Sequence, residues 1–404
     1  LSTCYRCGSA IEPLPLPQFY IRVKPLTQKV LAALDDNKVS VTGAGHDKIL
    51  RHWLNNLDDW NISRQIVWGI RMPVWYDTTK QPKIMVMFVT KGGEKISGTM
   101  DELLRSHSLP EIATGLQTMS APIGTEYIIS TTQPGPTFIQ ETDTFDTWFS
   151  SSQWPFATLK NTQPGDFERF YPTSVMETGY DILPFWVMRM LMMGLFVTDQ
   201  VPFSQVYLHG LVRDQKGQKM SKSKGNVVNP LEITEKYGAD ALRMALIIRS
   251  SAGLDKSVGD ADFKAMRNLT NKIWNATRFV LLQQSAEPQS PNSLPTDLAP
   301  LRSFTDAQVE EHIVLTRAQL TKNLDQLQIG LAAETIYNDF WHFYCDQVIE
   351  AGKYGLINKK TVMNCLIAYL KMLHPFTPFV TEAVWQELYK QQLVSEPLLT
   401  VNAW

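Results

Sequence analysis

HGLVRDQKGQKMSKSKGNVVNP, residues 209–230, sets Arg213, Lys216, Lys219, Lys222 and Lys224 against one acid, Asp214. Gly217 and Gly225 interrupt the run. Ahead of it, residues 206–209 read as a buried strand. Behind it, Asn229 suits a helix N-cap, Pro230 the first helical position and Glu232 the third. The segment is therefore a strand, a basic loop and a helix start. Ammonium groups spaced along such a loop suit a polyphosphate, because each is a compact point charge. A Lys-Ser run by itself is an ordinary solvated loop, so the flanking residues carry the weight.

The chain has 404 residues, 44% hydrophobic, which is enough for two or more globular domains. Its net charge of −2 is no whole-chain signature of a nucleic-acid binder, so any such surface must be local. Four cysteines exclude a disulfide scaffold. Cys345 and Cys365 sit in apolar helical patterns and read as core thiols. Cys4 and Cys7 form a CxxC beside Gly8, half of a zinc knuckle, with no second CxxC in the chain. No apolar run of membrane-spanning length and no signal peptide is expected. The chain opens on Leu inside what reads as a folded segment, which suggests a fragment.

Working outward, residues 18–23 suit a strand and 26–34 a helix, and 46–57 have helical spacing. The span 59–76 holds Trp60, Trp68 and Trp75 with Arg64 and Arg71 interleaved. It is either an aromatic core edge or a surface for bases and phosphates. Residues 77–142 read as an insertion, with strands at 84–90 and 127–132. At 145–156, FDTWFSSSQWPF makes a tight turn between Trp148 and Trp154. Residues 171–176 then form a strand, and Glu177-Thr-Gly-Tyr-Asp181 a turn that opens a helix. A glycine and an acid at such a turn suit a nucleotide's ribose, or simply cap a helix. Past residue 261 the pattern is helical throughout, with a Pro/Ser-rich flexible connection at 284–303. Tyr337, Phe340, Trp341, Phe343 and Tyr344 are candidates for a bundle core.

KMSKS at 219–223, followed by Gly225-Asn226 and GADALR at 238–243, resembles the signature loop of class I aminoacyl-tRNA synthetases. ISRQ (62–65), DTWFSS (146–151), PTSVMETGYD (172–181) and RNLTNKIWNATRF (267–279) narrow the resemblance to the valyl branch. LHPFTPFVTEAVW (373–385) is similar to that branch's anticodon-binding helices. The resemblance covers essentially the whole chain. It implies an α/β fold: the second half of a Rossmann-like catalytic domain, then an all-α anticodon-binding bundle. The implied divisions are residues 1–15 as the exit of an editing insertion, 16–255 as catalytic and 256–404 as helical.

The resemblance also implies chemistry. Lys219 and Lys222 would neutralise the triphosphate of ATP, which brings Mg2+, while a valine carboxylate attacks the α-phosphorus. Positioning and charge stabilisation would do most of the work. Gly179, Asp181, His209 and Gly210 would hold the nucleotide, together with Lys219, Met220, Ser221, Lys222 and Ser223. Trp148, Ile182 and Trp186 would wall the valine side chain, and Arg64 would face the acceptor end of tRNA(Val). A cytoplasmic location goes with that role. The family's HxGH-type histidine pair is absent from the sequence, as is most of its editing domain, and the C-terminal bundle is cut short. The implied enzyme is thus incomplete alone, and a complementary N-terminal chain could supply the rest. An isoleucine-type ligase and a non-catalytic tRNA-binding module are the rival readings.

Overall fold

The computed structural model describes every residue except 1, 5, 6, 13, 14 and 221–224. The chain divides into two compact units. The first comprises Leu1–Ser40, Lys48–Met176 and Asp181–Gln205, and the second Val41–Asp47, Glu177–Tyr180 and Val206–Trp404. A three-stranded sheet has the order β2–β3–β1, with β1 at Ser40–Thr42, β2 at Thr173–Gly179 and β3 at Phe203–His209.

In the first unit, helix Lys24–Asp35 begins with Pro25 near its N-terminus and buries Leu26, Val30, Ala33 and Leu34 on one face. That face packs on helix Met188–Thr198. The insertion forms two small antiparallel sheets. Met85–Val89 lies between Lys95–Thr99 and Leu116–Ser120, and Val74–Asp77 lies between Ile128–Ile129 and Phe138–Gln140. Period-2 patterning holds there: Val86 and Phe88 are buried on one sheet, Val74 and Tyr76 on the other. The tryptophan-rich span divides between its two readings. Trp60 is buried at 6% exposure, while Trp68 is 91% exposed.

One expectation is corrected here. The helical run Tyr180–Thr198 is long and apolar enough, by length and composition, to cross a membrane. Its apolar residues have an internal use: Leu183, Val187, Met188 and Met190–Leu195 are buried.

In the second unit, Asn229 caps helix Pro230–Tyr237 through its side chain, which accepts from Leu231 N at 3.1 Å and donates to Glu232 at 3.1 Å. Gly238, at φ +93°, ends that helix and starts Ala239–Ile247. Helix Asp260–Ser285 follows. The 284–303 segment is more ordered than its composition suggests. It makes 3-10 turns at Pro291–Ser293 and Thr296–Ser303, and Leu294 and Leu301 are buried. Helices Asp306–Asp325, Ile329–Asn338, Lys359–Leu373 and Pro378–Lys390 complete the unit, with a π-helical stretch at Asp339–Val348. Phe340 and Tyr344 are fully buried; Tyr337, Trp341 and Phe343 pack partly buried against the same core. Cys345 and Cys365 are core thiols, and burial pushes both up to about 12.

Candidate functional site

The second unit gathers the carboxyl ends of the three strands, the place where open α/β sheets hold ligands. Gly179 ends β2 and is buried. His209 ends β3, with Nε2 3.4 Å from Glu177 Oε1 and Nδ1 2.9 Å from the Gly210 carbonyl. Gly210 is glycine because the chain doubles back: a Cβ there would overlap the carbonyl of Leu254. The returning turn is laced to the strand ends by Gly253 N to Leu208 O at 2.7 Å and Ala44 N to Ala252 O at 3.2 Å. His46 is buried beside it, its ring 5.0 Å from that of Tyr180.

Asp255 is the polar centre of that turn. It accepts from Leu211 N at 2.8 Å and pairs with Arg213. Burial works to raise its pKa, but the bonds from Leu211 N, Tyr180 and Arg213 hold the carboxyl below the ordinary range. Tyr180 is pushed up, first by its hydrogen bond to Asp255.

The basic loop leaves this turn through a folded neck. Asp214 Oδ1 accepts from Lys216 N at 3.0 Å and Gln218 N at 2.8 Å, and Gly217 takes the positive φ of the turn. Asp214 Oδ2 accepts from Asn226 Nδ2 at 2.9 Å, joining residues on either side of KMSKS. The bond from Asn226, first among several, lowers the Asp214 carboxyl. Lys219 is exposed and Met220 half-buried. Ser221, Lys222 and Ser223, expected on the phosphate side, lie outside the described residues.

The first unit brings the three expected pocket residues onto adjoining elements. Trp148 lies on the short helix Thr147–Ser151, and Ile182 closes the 3-10 turn Tyr180–Ile182. Trp186 lies in the π-helical turn Leu183–Val187, and its Nε1 donates to Ser151 O at 3.1 Å. Phe185 stacks on Trp148 with ring centres 5.9 Å apart. All three expected residues are half-buried. Asp181, in the same 3-10 turn, is exposed.

Sequence reasoning passed over the residue that caps the Trp148 helix. Asp146, buried at 6% exposure, accepts from Trp60 Nε1 at 2.9 Å and pairs with Arg64 Nη2 at 3.2 Å. It also caps the Trp148 helix. Arg189 lies 4.0 Å over the Trp60 ring, and burial lowers it to about 10 despite the Asp146 charge. Its Nη1 is buried without a hydrogen-bond partner among the described residues. The available signal was Asp146 directly before TWFSS, an N-cap position. Arg64, expected at the tRNA, is half-buried and donates to the carbonyls of Asn61 and Ser63 while pairing with Asp146.

The sequence model for tRNA synthetases class I (I, L, M and V) matches residues 11–258. The chain belongs to this family. The anticodon-binding domain of tRNA ligases matches residues 306–404 of the synthetase chain. Among curated relatives, the valine–tRNA ligase of Dehalococcoides mccartyi strain CBDB1 is 36% identical over 397 residues, covering 95% of this chain and 40% of that protein. The enzyme of the same name from Thermotoga maritima is 36% identical over 409 residues, covering 99% and 42%. The chain thus spans about two fifths of the length of the relatives it matches. Among solved structures, Mycobacterium tuberculosis methionyl-tRNA synthetase in complex with methionyl-adenylate superposes with a TM-score of 0.63 at 16% identity, covering 96% of this chain and 65% of that one. The LeuRS–tRNA–LeuAMS complex of Agrobacterium radiobacter K84 gives 0.58 at 18%, covering 89% and 45%. At these identities the likeness shows the fold: a class I catalytic domain followed by a helical anticodon-binding domain.

At the synthetase chain's CxxC, Gly8 N bonds to Cys4 O and Cys4 N to Ser9 O, both at 2.8 Å. Bonds with Ser9, ahead of that with Cys4, lower the exposed Cys7 thiol to about 7. A structural zinc takes four ligands. Two sulfurs are half a site, and no group of three metal-binding side chains occurs among the described residues.

Proposed function

We propose that this chain is the nucleotide-loop and anticodon-binding portion of a valine–tRNA ligase. The complete enzyme would activate valine with ATP and transfer it to tRNA(Val). The observation that supports this reading is that Trp148, Ile182 and Trp186 lie half-buried on adjoining elements, with Asp146 capping the Trp148 helix. A short β-branched side chain wants a stiff apolar slot, and two fixed indoles provide one. In the complete enzyme, Gly179, Asp181, His209, Gly210 and the Met220 backbone hold the adenosine. Lys219 and Lys222 offset the triphosphate charge, with Ser221 and Ser223 beside them and Mg2+ arriving with ATP. Preorganised charge of this kind lowers the barrier without a covalent enzyme intermediate. Arg64 faces the acceptor end of the tRNA. Residues 16–255 form the catalytic portion and 256–404 the anticodon-binding portion, in a cytoplasmic enzyme. The other half of the phosphate clamp comes from an N-terminal segment or a complementary chain. A zinc at Cys4 and Cys7 would take its remaining ligands from the same source.

Amino-acid-dependent ATP–pyrophosphate exchange tests the reading. A complete enzyme containing these 404 residues should respond to valine far more than to isoleucine, and the isolated chain should give no exchange. Preference for isoleucine would transfer the assignment to the isoleucine-type ligase. Salt-dependent tRNA binding with no exchange by any assembly would leave only an RNA-binding module.

A further inference from the structure

Apart from these groups, the first unit holds a cavity of about 520 Å3 beneath the 119–127 loop. Two carboxylates line it, Glu141 at 4% exposure and Asp143 at 6%. They stand two residues apart where strand Phe138–Gln140 ends. Glu141 is well satisfied: Tyr76 OH donates to Oε2 at 3.1 Å, and Thr142 N and Asp143 N donate to Oε1 at 2.6 and 3.2 Å. Asp143 is not. Its Oδ2 accepts from Gln65 Nε2 at 2.8 Å, and its Oδ1 has no hydrogen-bond partner among the described residues.

Neither carboxylate has an ion-pair partner among the described residues. Arg71, whose charge acts on Glu141, gives its Nε and Nη2 to the carbonyls of Glu141 and Gln140 instead. No Lys, Arg or His lines the cavity. Burying acids without a counter-charge is costly, and burial ahead of all else pushes both carboxyls upward. The lining also carries aromatic rings. Phe19 meets Tyr127 edge-on with centres 5.7 Å apart, and Tyr127 meets Tyr76 at 6.4 Å. Ring faces attract organic cations. They offer no lone pairs to a hard metal ion, which wants six or more oxygens.

We propose that this cavity binds an aliphatic organic cation bearing a primary ammonium or guanidinium group. The charged head rests on Asp143 Oδ1, and the stem lies along Phe19 and Tyr127. This site is separate from the tryptophan slot and independent of the proposed aminoacylation.

The test is isothermal titration of the full chain with agmatine and with 1,4-diaminobutane, at fixed ionic strength, with sodium chloride as control. One saturable site is expected for at least one of the two amines, with guanidine or amine preference naming the head group. Asp143→Asn keeps an oxygen for Gln65 to bond and should weaken binding by about 10- to 100-fold. Tyr127→Leu, on the half-exposed rim, should weaken it by about 2- to 5-fold. Asp36→Asn, at an exposed pair with Lys38, should leave it unchanged. No saturable heat with either amine, or equal affinity in wild type and Asp143→Asn, overturns the proposal.

Discussion

The proposed tryptophan slot and the strand-end crevice are held in shape by opposite means. The slot is built from large side chains standing on a buried acid. Asp146 receives an indole N–H and a guanidinium at once, so Trp60, Arg64 and the Trp148 helix share one support. The crevice is built by leaving side chains out. Gly210 and Gly253 let the 251–255 backbone lie directly against the ends of β1 and β3, and backbone hydrogen bonds fix it there. One depends on a charge being present, the other on a carbon being absent. Substitutions should therefore separate them.

The largest effect is expected at Gly210→Ala. The new Cβ overlaps the Leu254 backbone rather than a side chain that could rotate away. The turn carrying Asp255 must move, at a cost of about 4 kcal/mol in urea unfolding. A loss under about 1 kcal/mol would mean that the crevice tolerates a side chain and the contrast with the slot is false. Asp146→Ala comes next, at about 3 kcal/mol, because it strands Arg64 and the Trp60 N–H, with Arg189 already short of a partner. Asp146→Asn retains the cap and the indole bond and should recover about half of that loss. Wild-type stability in Asp146→Asn would show that geometry, not charge, supports the slot.

Asn226→Ala sharpens the comparison without threatening the fold. It removes the bond that ties Asn226 to Asp214 across the loop, a half-buried contact away from the core. Global stability should change by no more than about 0.5 kcal/mol. Tryptic cutting after Lys216 and Lys219 should accelerate by about 5-fold, since local opening governs proteolysis. Unchanged cutting would show that the neck is held by the turn around Gly217 alone.

The parts legible in the sequence are those whose causes are local. Asn229, Pro230 and Glu232 specify a helix start within four residues, and the structure makes that cap bond for bond. Gly238 marks its own break, and the bundle aromatics follow helical spacing into the core. Trp148 and Trp186 enter the proposal through family resemblance, not through spacing. What escaped depends on long-range contact. Trp60 and Asp146 are 86 residues apart, and no periodicity links an indole to the acid that fixes it. The aromatic span at 59–76 could not be assigned to core or surface because it supplies both, Trp60 inward and Trp68 outward. The Pro/Ser-rich stretch misled for a related reason: Leu294 and Leu301 find a core that composition does not reveal.

The smallest expected effect concerns protons at the loop's neck. Asp214 has its carboxyl lowered, first by Asn226 and then by the Gln218 amide. A depressed folded pKa means that the unfolded neck binds the proton more readily. The clasp is therefore fully present above the ordinary aspartate value of about 3.9 and is lost as pH falls through the lower folded value. Amide shifts of Lys216 and Gln218, both bonded to Asp214 Oδ1, should titrate with a midpoint below that ordinary value. In Asn226→Ala the midpoint should move upward, because the largest stabiliser of the carboxylate is gone. A midpoint that does not move would assign the depression to the backbone amides alone. The neck would then be a second place, like the Gly210 turn, where main-chain geometry rather than a side-chain partner holds the site.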